Sequence, residues 1–121
     1  MITPEKMAQY RQTVQQRRTA EKARLDERFV QGQAIARQLA ALLRRDFGAE
    51  RVALFGSLTD RDLFHDRYDI DLSAWGIPEQ DYLKAVAAVT SFTTSFHIDL
   101  ARMEEASKRL IDSVEKGGIL L

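Results

Sequence analysis

The run from Pro4 to Gly48 constrains the fold most, because no second proline interrupts the chain before Pro78. Thr3-Pro4-Glu5 has the marks of a helix start. A threonine can cap the first free amides, a proline sits at the first helical position, and a carboxylate meets the positive end of the helix dipole. Apolar residues recur at Met7, Tyr10 and Val14, and again at Leu25, Phe29, Ala36, Leu39 and Leu43. These spacings place them along one side of a helix. Arg17, Arg18, Glu21 and Lys22 interrupt the stripe. Gly32 weakens a helix by roughly 1 kcal/mol relative to alanine but need not end it. The pattern predicts one long helix or two stacked ones, stopping near Asp46-Phe47-Gly48, with the stronger core face from about Leu25. Residues 1–24 are expected to form a helical extension that needs a partner surface, and residues 25–121 the folded domain.

Downstream the period changes. Arg51-Val52-Ala53-Leu54-Phe55 reads as a short strand ended by Gly56-Ser57, and Leu58 to Tyr68 as a polar loop. Asp69-Ile70-Asp71-Leu72-Ser73-Ala74-Trp75 is the clearest strand. Gly76-Ile77-Pro78-Glu79 opens a helix to about Thr90, with Tyr82, Leu83, Val86 and Val89 on its apolar side. Ser95 to Leu100 alternates again, with Phe96, Ile98 and Leu100 facing one way and His97 and Asp99 the other. A last helix is expected from about Met103 to Glu115, stopped by Gly117-Gly118, with Ile119-Leu120-Leu121 as a short strand or docked tail. Strands interleaved with helices predict an α/β or α+β fold, a small mixed β-sheet flanked by helices.

A chain of 121 residues supports one domain, and 45% hydrophobic with 30% charged residues is an ordinary globular balance. The absence of cysteine excludes disulfides, thiolate metal sites and a cysteine nucleophile. No apolar run reaches the ~18 residues of a membrane span, and the first residues lack the apolar core of a signal peptide, so a cytoplasmic location is expected. The charge is uneven although the total is zero. Met1 to Phe47 holds ten basic and five acidic residues, a net of +5, whereas Gly48 to Leu121 holds eight and thirteen, a net of −5.

The chemistry concentrates in Gly56-Ser57, Asp69, Asp71 and Asp99. Residues i and i+2 of a strand share a face, roughly 6.5 Å apart along it. Asp69 and Asp71 therefore project together while Ile70, Leu72 and Ala74 face the core. Asp99 sits opposite the apolar face of its own strand. Carboxylates are hard ligands suited to Mg²⁺, and three on adjacent strands can hold two ions roughly 3.5–4 Å apart, as in phosphoryl-type transfer. Gly56 permits close approach of backbone to a phosphate, and Ser57 offers an amide and a hydroxyl. Asp60-Arg61-Asp62 repeats the spacing but lies in the polar loop and reads as solvated.

Val52-Ala53-Leu54-Phe55-Gly56-Ser57, the loop, and Asp69-Ile70-Asp71-Leu72 resemble the signature of the DNA polymerase β-type nucleotidyltransferase superfamily. The layout from Gly56 to Leu121 resembles its minimal nucleotidyltransferase (MNT) branch. The resemblance spans roughly Leu39 to Leu121, including His97-Ile98-Asp99-Leu100 and the closing Gly117-Gly118-Ile119-Leu120. It implies the nucleotidyltransferase fold for residues 25–121, with Asp69 and Asp71 holding Mg²⁺. Asp99 would complete a second ion site and help activate the acceptor hydroxyl, and Gly56-Ser57 would hold the triphosphate of ATP. Members of the branch pair with a HEPN-domain toxin, usually an RNase, and some neutralise it by moving AMP from ATP onto a toxin tyrosine. The implied function is thus a Mg²⁺-dependent protein adenylyltransferase antitoxin in a hetero-oligomer with a HEPN toxin. Two alternatives stand beside it: a non-catalytic antitoxin acting by sequestration, or a nucleotidyltransferase acting on a small molecule or RNA. The sequestration reading draws on two departures from the family pattern. Leu58-Thr59-Asp60-Arg61 follows Gly-Ser where the family often has Arg-Ala-Arg-Gly, and Tyr68 stands where a small residue usually precedes the first aspartate.

Around this set, His97 shares a predicted face with Asp99, from which it could contact the site or its nucleotide, and His65 is read as a surface residue. Arg61 and Arg67 can neutralise phosphate charge or pair with Asp60, Asp62 and Asp66. Trp75 and Tyr82 are read as core packing. Arg17 and Arg18 could bind RNA, but the apolar residues around them favour a protein partner over nucleic acid.

Overall fold

The structure, a computed structural model, describes residues 1–64 and 69–121. The first helix, α1, runs unbroken from Pro4 to Phe47, 44 residues or about 66 Å. The Thr3 hydroxyl accepts from the Lys6 amide at 3.2 Å, and Gly48 ends the helix in the left-handed region at φ +72°. Of the two arrangements the pattern allowed, the single helix is the one formed. Gly32 does not interrupt it. An added Cβ there would lie 2.9 Å from Leu58 Cδ2 and 3.1 Å from Phe96 Cε1, so the missing side chain is what lets the body approach. Gly32, Ala36, Leu39, Ala40 and Leu43 are buried, with Leu25 and Phe29 packed at the margin. N-terminal to Leu25 most of the helix is exposed, Tyr10 by 67%.

The body is a four-stranded sheet in the order β3-β2-β1-β4, made of β1 (Arg51–Phe55), β2 (Asp69–Trp75), β3 (His97–Arg102) and β4 (Ile119–Leu120). β1 is antiparallel to both β2 and β4, whereas β2 and β3 run parallel. Parallel neighbours need a crossover. Here it is a 3₁₀ turn at Glu79–Asp81 followed by α2 (Tyr82–Thr90). Val52, Leu54, Ile70, Leu72, Ala74, Ile98 and Leu100 form one face of the sheet and pack against α1 and α2 in a single core. The second face carries a smaller cluster of Ala53, Met103 and Val114, flanked by Phe55, Trp75, Leu110 and Ile111. Val114, Leu110 and Ile111 belong to α3 (Lys108–Gly117).

Three expectations need correction. Leu83, expected on the apolar side of α2, is 79% exposed. Ala85 and Val89, four apart, are the buried pair, and Leu83 lies about 200° round the helix from Ala85. The last helix is not continuous from Met103. Met103–Glu105 forms a 3₁₀ turn, and Ser107 caps a separate α3 by accepting from the Leu110 amide at 3.2 Å. β3 begins at His97 rather than Ser95 and extends to Arg102, whose Nε donates to the Ile77 carbonyl at 2.8 Å. The C-terminal residues form a strand: Ile119 and Leu120 pair with Leu54 and Ala53, and Arg44 reaches from α1 to the Leu121 carbonyl.

Candidate active site

The register of three strands builds the site. Phe55 on β1 lies opposite Asp71 on β2, and Asp71 opposite Asp99 on β3. One step outward, Asp69 pairs with His97. One step inward, Ala53, Ser73 and Ala101 form the next row. These rows share the second face of the sheet because strand side chains alternate. The inner row is roofed by Met103 and α3, and Ser73, fully buried, donates to the Ala53 carbonyl at 3.2 Å. The roof stops there, leaving the three aspartates at the uncovered end. The structure thus brings Asp69, Asp71 and Asp99 together.

Gly56 and Ser57 stand at the end of β1, in a 3₁₀ turn spanning Gly56–Thr59. Gly56 has φ +78°, and a Cβ there would sit 2.3 Å from Asp71 Oδ2. Only glycine lets the turn lie directly against that carboxylate. Thr59 closes the turn by donating its hydroxyl to the Gly56 carbonyl at 2.7 Å. Leu58 is fully buried.

The cluster is electrostatically costly. Burial pushes the Asp71 carboxyl up to about 6, and the charges of Asp99 and Asp69 and a hydrogen bond to Asp99 act in the same direction. The His97 imidazole partly offsets them, with Nδ1 3.6 Å from Asp99 Oδ2 and 3.9 Å from Asp69 Oδ1. Among the described residues no three His, Asp or Glu side chains are already gathered into a finished metal-binding group. The donors nevertheless fit a hard divalent cation. They are carboxylates on adjacent strands whose mutual repulsion raises a proton affinity, and a cation would relieve that repulsion.

Other residues singled out in the sequence fall elsewhere. Arg61 pairs with Asp26 of α1 rather than with Asp60 or Asp62. Asp60 accepts from the Asp62 amide at 2.9 Å, and both acids are exposed. Trp75 is half-buried beneath the Arg51 guanidinium, 4.1 Å from the ring centre. Tyr82 packs on the core and donates its hydroxyl to the Leu100 carbonyl at 2.5 Å. His65, Asp66, Arg67 and Tyr68 lie outside the described residues. Sequence reasoning missed α1 as a support of the Gly56–Thr59 turn, through Gly32 against Leu58 and Gln33 to the Leu58 carbonyl. The signal was Gly32, since a glycine inside a helical pattern often marks a close packing contact.

Among the described residues no helix is long and apolar enough to cross a membrane. No protein-family model and no curated protein matches the chain, but solved structures do. A toxin–antitoxin complex with AMP-PNP matches at 22% identity and a TM-score of 0.56, covering 69% of either chain. A complex containing tri-AMPylated Shewanella oneidensis HEPN toxin and MNT antitoxin matches at 20% identity and a TM-score of 0.56, covering 74% of this chain and 70% of the other. An MntA toxin–antitoxin complex carrying two Asp→Glu substitutions two positions apart matches at 19% identity and a TM-score of 0.59, over 70% of each chain. At such identities the likeness establishes architecture, and the architecture of this chain is the nucleotidyltransferase fold that its motif implied.

Proposed function

We propose that the protein is a Mg²⁺-dependent nucleotidyltransferase antitoxin that transfers AMP from ATP to a hydroxyl, in our reading a tyrosine's, of a cognate HEPN-type RNase toxin with which it forms a hetero-oligomer. The observation that carries this reading is the row of Asp69, Asp71 and Asp99 on one end of the sheet, with Asp71 directly against the Gly56 backbone. The matched structures support it by their contents: one holds AMP-PNP, one an AMPylated HEPN toxin, and one a pair of altered aspartates with the spacing of Asp69 and Asp71. In this reading residues 25–121 form the catalytic domain and residues 1–24 its helical extension.

Each group then has a task. Asp69 and Asp71 would hold Mg²⁺, with Asp99 completing a second ion site. When bound, the ions supply charge neutralisation and Lewis-acid polarisation of the phosphoryl oxygens. The turn presents backbone amides and the Ser57 hydroxyl to the triphosphate, and Gly56 keeps that backbone close to Asp71. Asp99, on the solvent side of β3, accepts the proton of the attacking hydroxyl. The acceptor oxygen bonds to the α-phosphorus, the bond from that phosphorus to the bridging oxygen breaks, and pyrophosphate leaves.

Incubating the protein with labelled ATP, Mg²⁺ and a HEPN-type protein encoded beside it tests the reading. Label is expected on the partner with wild type and not with Asp69→Ala/Asp71→Ala. Equal behaviour of the two proteins would sink the catalytic claim. One observation favours sequestration as a second reading: the mostly exposed half of α1, Tyr10 included, offers a long docking surface. Neutralisation of the toxin in cells by the double variant would support it.

A further inference from the structure

We infer that α1 sets the position of the phosphate-facing turn, and that Gln33 is a positioning residue for the nucleotide. This rests on the nucleotide site proposed above. The Gly56–Thr59 turn has a support on each side. On one side the Gly56 backbone lies against Asp71. On the other, Leu58 lies in the notch left by Gly32, and the Gln33 side-chain amide donates to the Leu58 carbonyl at 3.2 Å. That carbonyl belongs to the Leu58–Thr59 peptide, so the hydrogen bond anchors the second half of the four-residue turn that carries the Ser57 backbone.

The chain beyond the turn is tied to the same helix. Arg61 pairs with Asp26, and its guanidinium also reaches the Lys22 carbonyl at 3.5 Å. The Phe64 ring meets Phe29 edge-on, with centroids 5.8 Å apart. Asp26, Phe29, Gly32 and Gln33 are spaced three, three and one apart, along the side of the helix that faces the body. Leu58 and Phe64 are buried at these contacts. Gln33, by contrast, is only half-buried and donates to a backbone group rather than filling the core. Its removal is therefore expected to loosen the turn more than the fold. A group that holds backbone amides in place before the ligand arrives lowers the ordering cost of binding.

The experiment is calorimetric titration of the full-length protein with ATP and Mg²⁺, alongside thermal melting. Gln33→Met keeps the length of the side chain and removes the donor. It is expected to weaken ATP binding about three- to tenfold, the equivalent of one neutral hydrogen bond, while the melting temperature stays near that of wild type. Leu39→Ala, in the core half of α1 away from the turn, should lower the melting temperature clearly and leave ATP affinity unchanged. Gly32→Ala, whose Cβ would press on Leu58, should weaken ATP binding as Gln33→Met does. Wild-type affinity in Gln33→Met would overturn the inference, as would a loss of affinity that follows melting temperature across all three variants. Failure of the wild type itself to bind ATP would overturn the nucleotide reading and this inference with it.

Discussion

The two ends of the sheet's second face are built from the same strands, yet one is a small core and the other a cluster of charge. At the inner end Ala53, Ser73 and Ala101 lie under Met103 and α3, and even the serine finds a backbone acceptor. At the outer end, one register step away, Phe55 packs on the edge of that cluster but the carboxylates of Asp71 and Asp99 lie beyond it, and Asp69 and His97 extend the open row. The difference lies in reach. α3 is a ten-residue helix, about 15 Å long, and it shelters only part of the face. What it leaves bare is where like charges can be tolerated by solvent and, in our reading, used to hold cations.

Substitutions at the two ends should fail in different ways. The largest effect is expected from Asp69→Ala/Asp71→Ala, which should reduce AMP transfer on the order of 10³-fold or more. The same variant should melt no lower than wild type at pH 7 in the absence of divalent cations, since it removes repelling charges. Circular dichroism melts beside the transfer assay check both halves. At the covered end Met103→Ala should cost about 2–4 kcal/mol of stability without altering ATP affinity of the folded protein, as read by chemical denaturation and titration. If Met103→Ala spared stability, the account of the roof would be wrong.

Gly56→Ala joins the two behaviours. It forces a side chain into a left-handed backbone and onto Asp71, so a loss of about 1–3 kcal/mol should accompany loss of ATP binding. A smaller effect concerns pH. The folded Asp71 binds its proton more tightly than the unfolded chain does, so its contribution is fully present below about pH 4 and is lost as pH rises through about 6. After allowance for solvent screening of a half-exposed group, about 1 kcal/mol should disappear between pH 4 and 7 in metal-free protein. Asp71→Asn should flatten that slope in denaturant melts, and an unchanged slope would show that Asp71 titrates normally. The smallest effect is expected from Arg51→Ala, which removes the guanidinium over Trp75 at the rim of the covered end, about 0.5–1 kcal/mol.

Much of this was legible before any coordinates. The alternation in Asp69–Trp75 predicted a strand with aspartates on one side, and the strand has those bounds. The capping signals of Thr3-Pro4-Glu5 predicted the start of α1 to the residue. Less legible were features that depend on a distant surface. Leu83 has the composition of a core residue, but α2 turns Ala85 and Val89 inward and leaves Leu83 on the opposite side, in solvent. Arg61 sits between two acids in sequence, yet its partner is Asp26, 35 positions away. A charged pair forms where the fold brings two side chains together, and neighbours in a turn need not meet.

Local periodicity and capping chemistry, then, were determined by the sequence alone, since they arise from the backbone's own geometry: a period of two in strands, 3.6 in helices, and free amides at a helix start. The tertiary structure decided which rows of the sheet are roofed, where the Gly56–Thr59 turn is braced, and that Ile119-Leu120 becomes the fourth strand. Those outcomes depend on contacts between residues tens of positions apart, such as Gly32 with Leu58 and Ala53 with Leu120. Only the packed chain determines which of them can be made together.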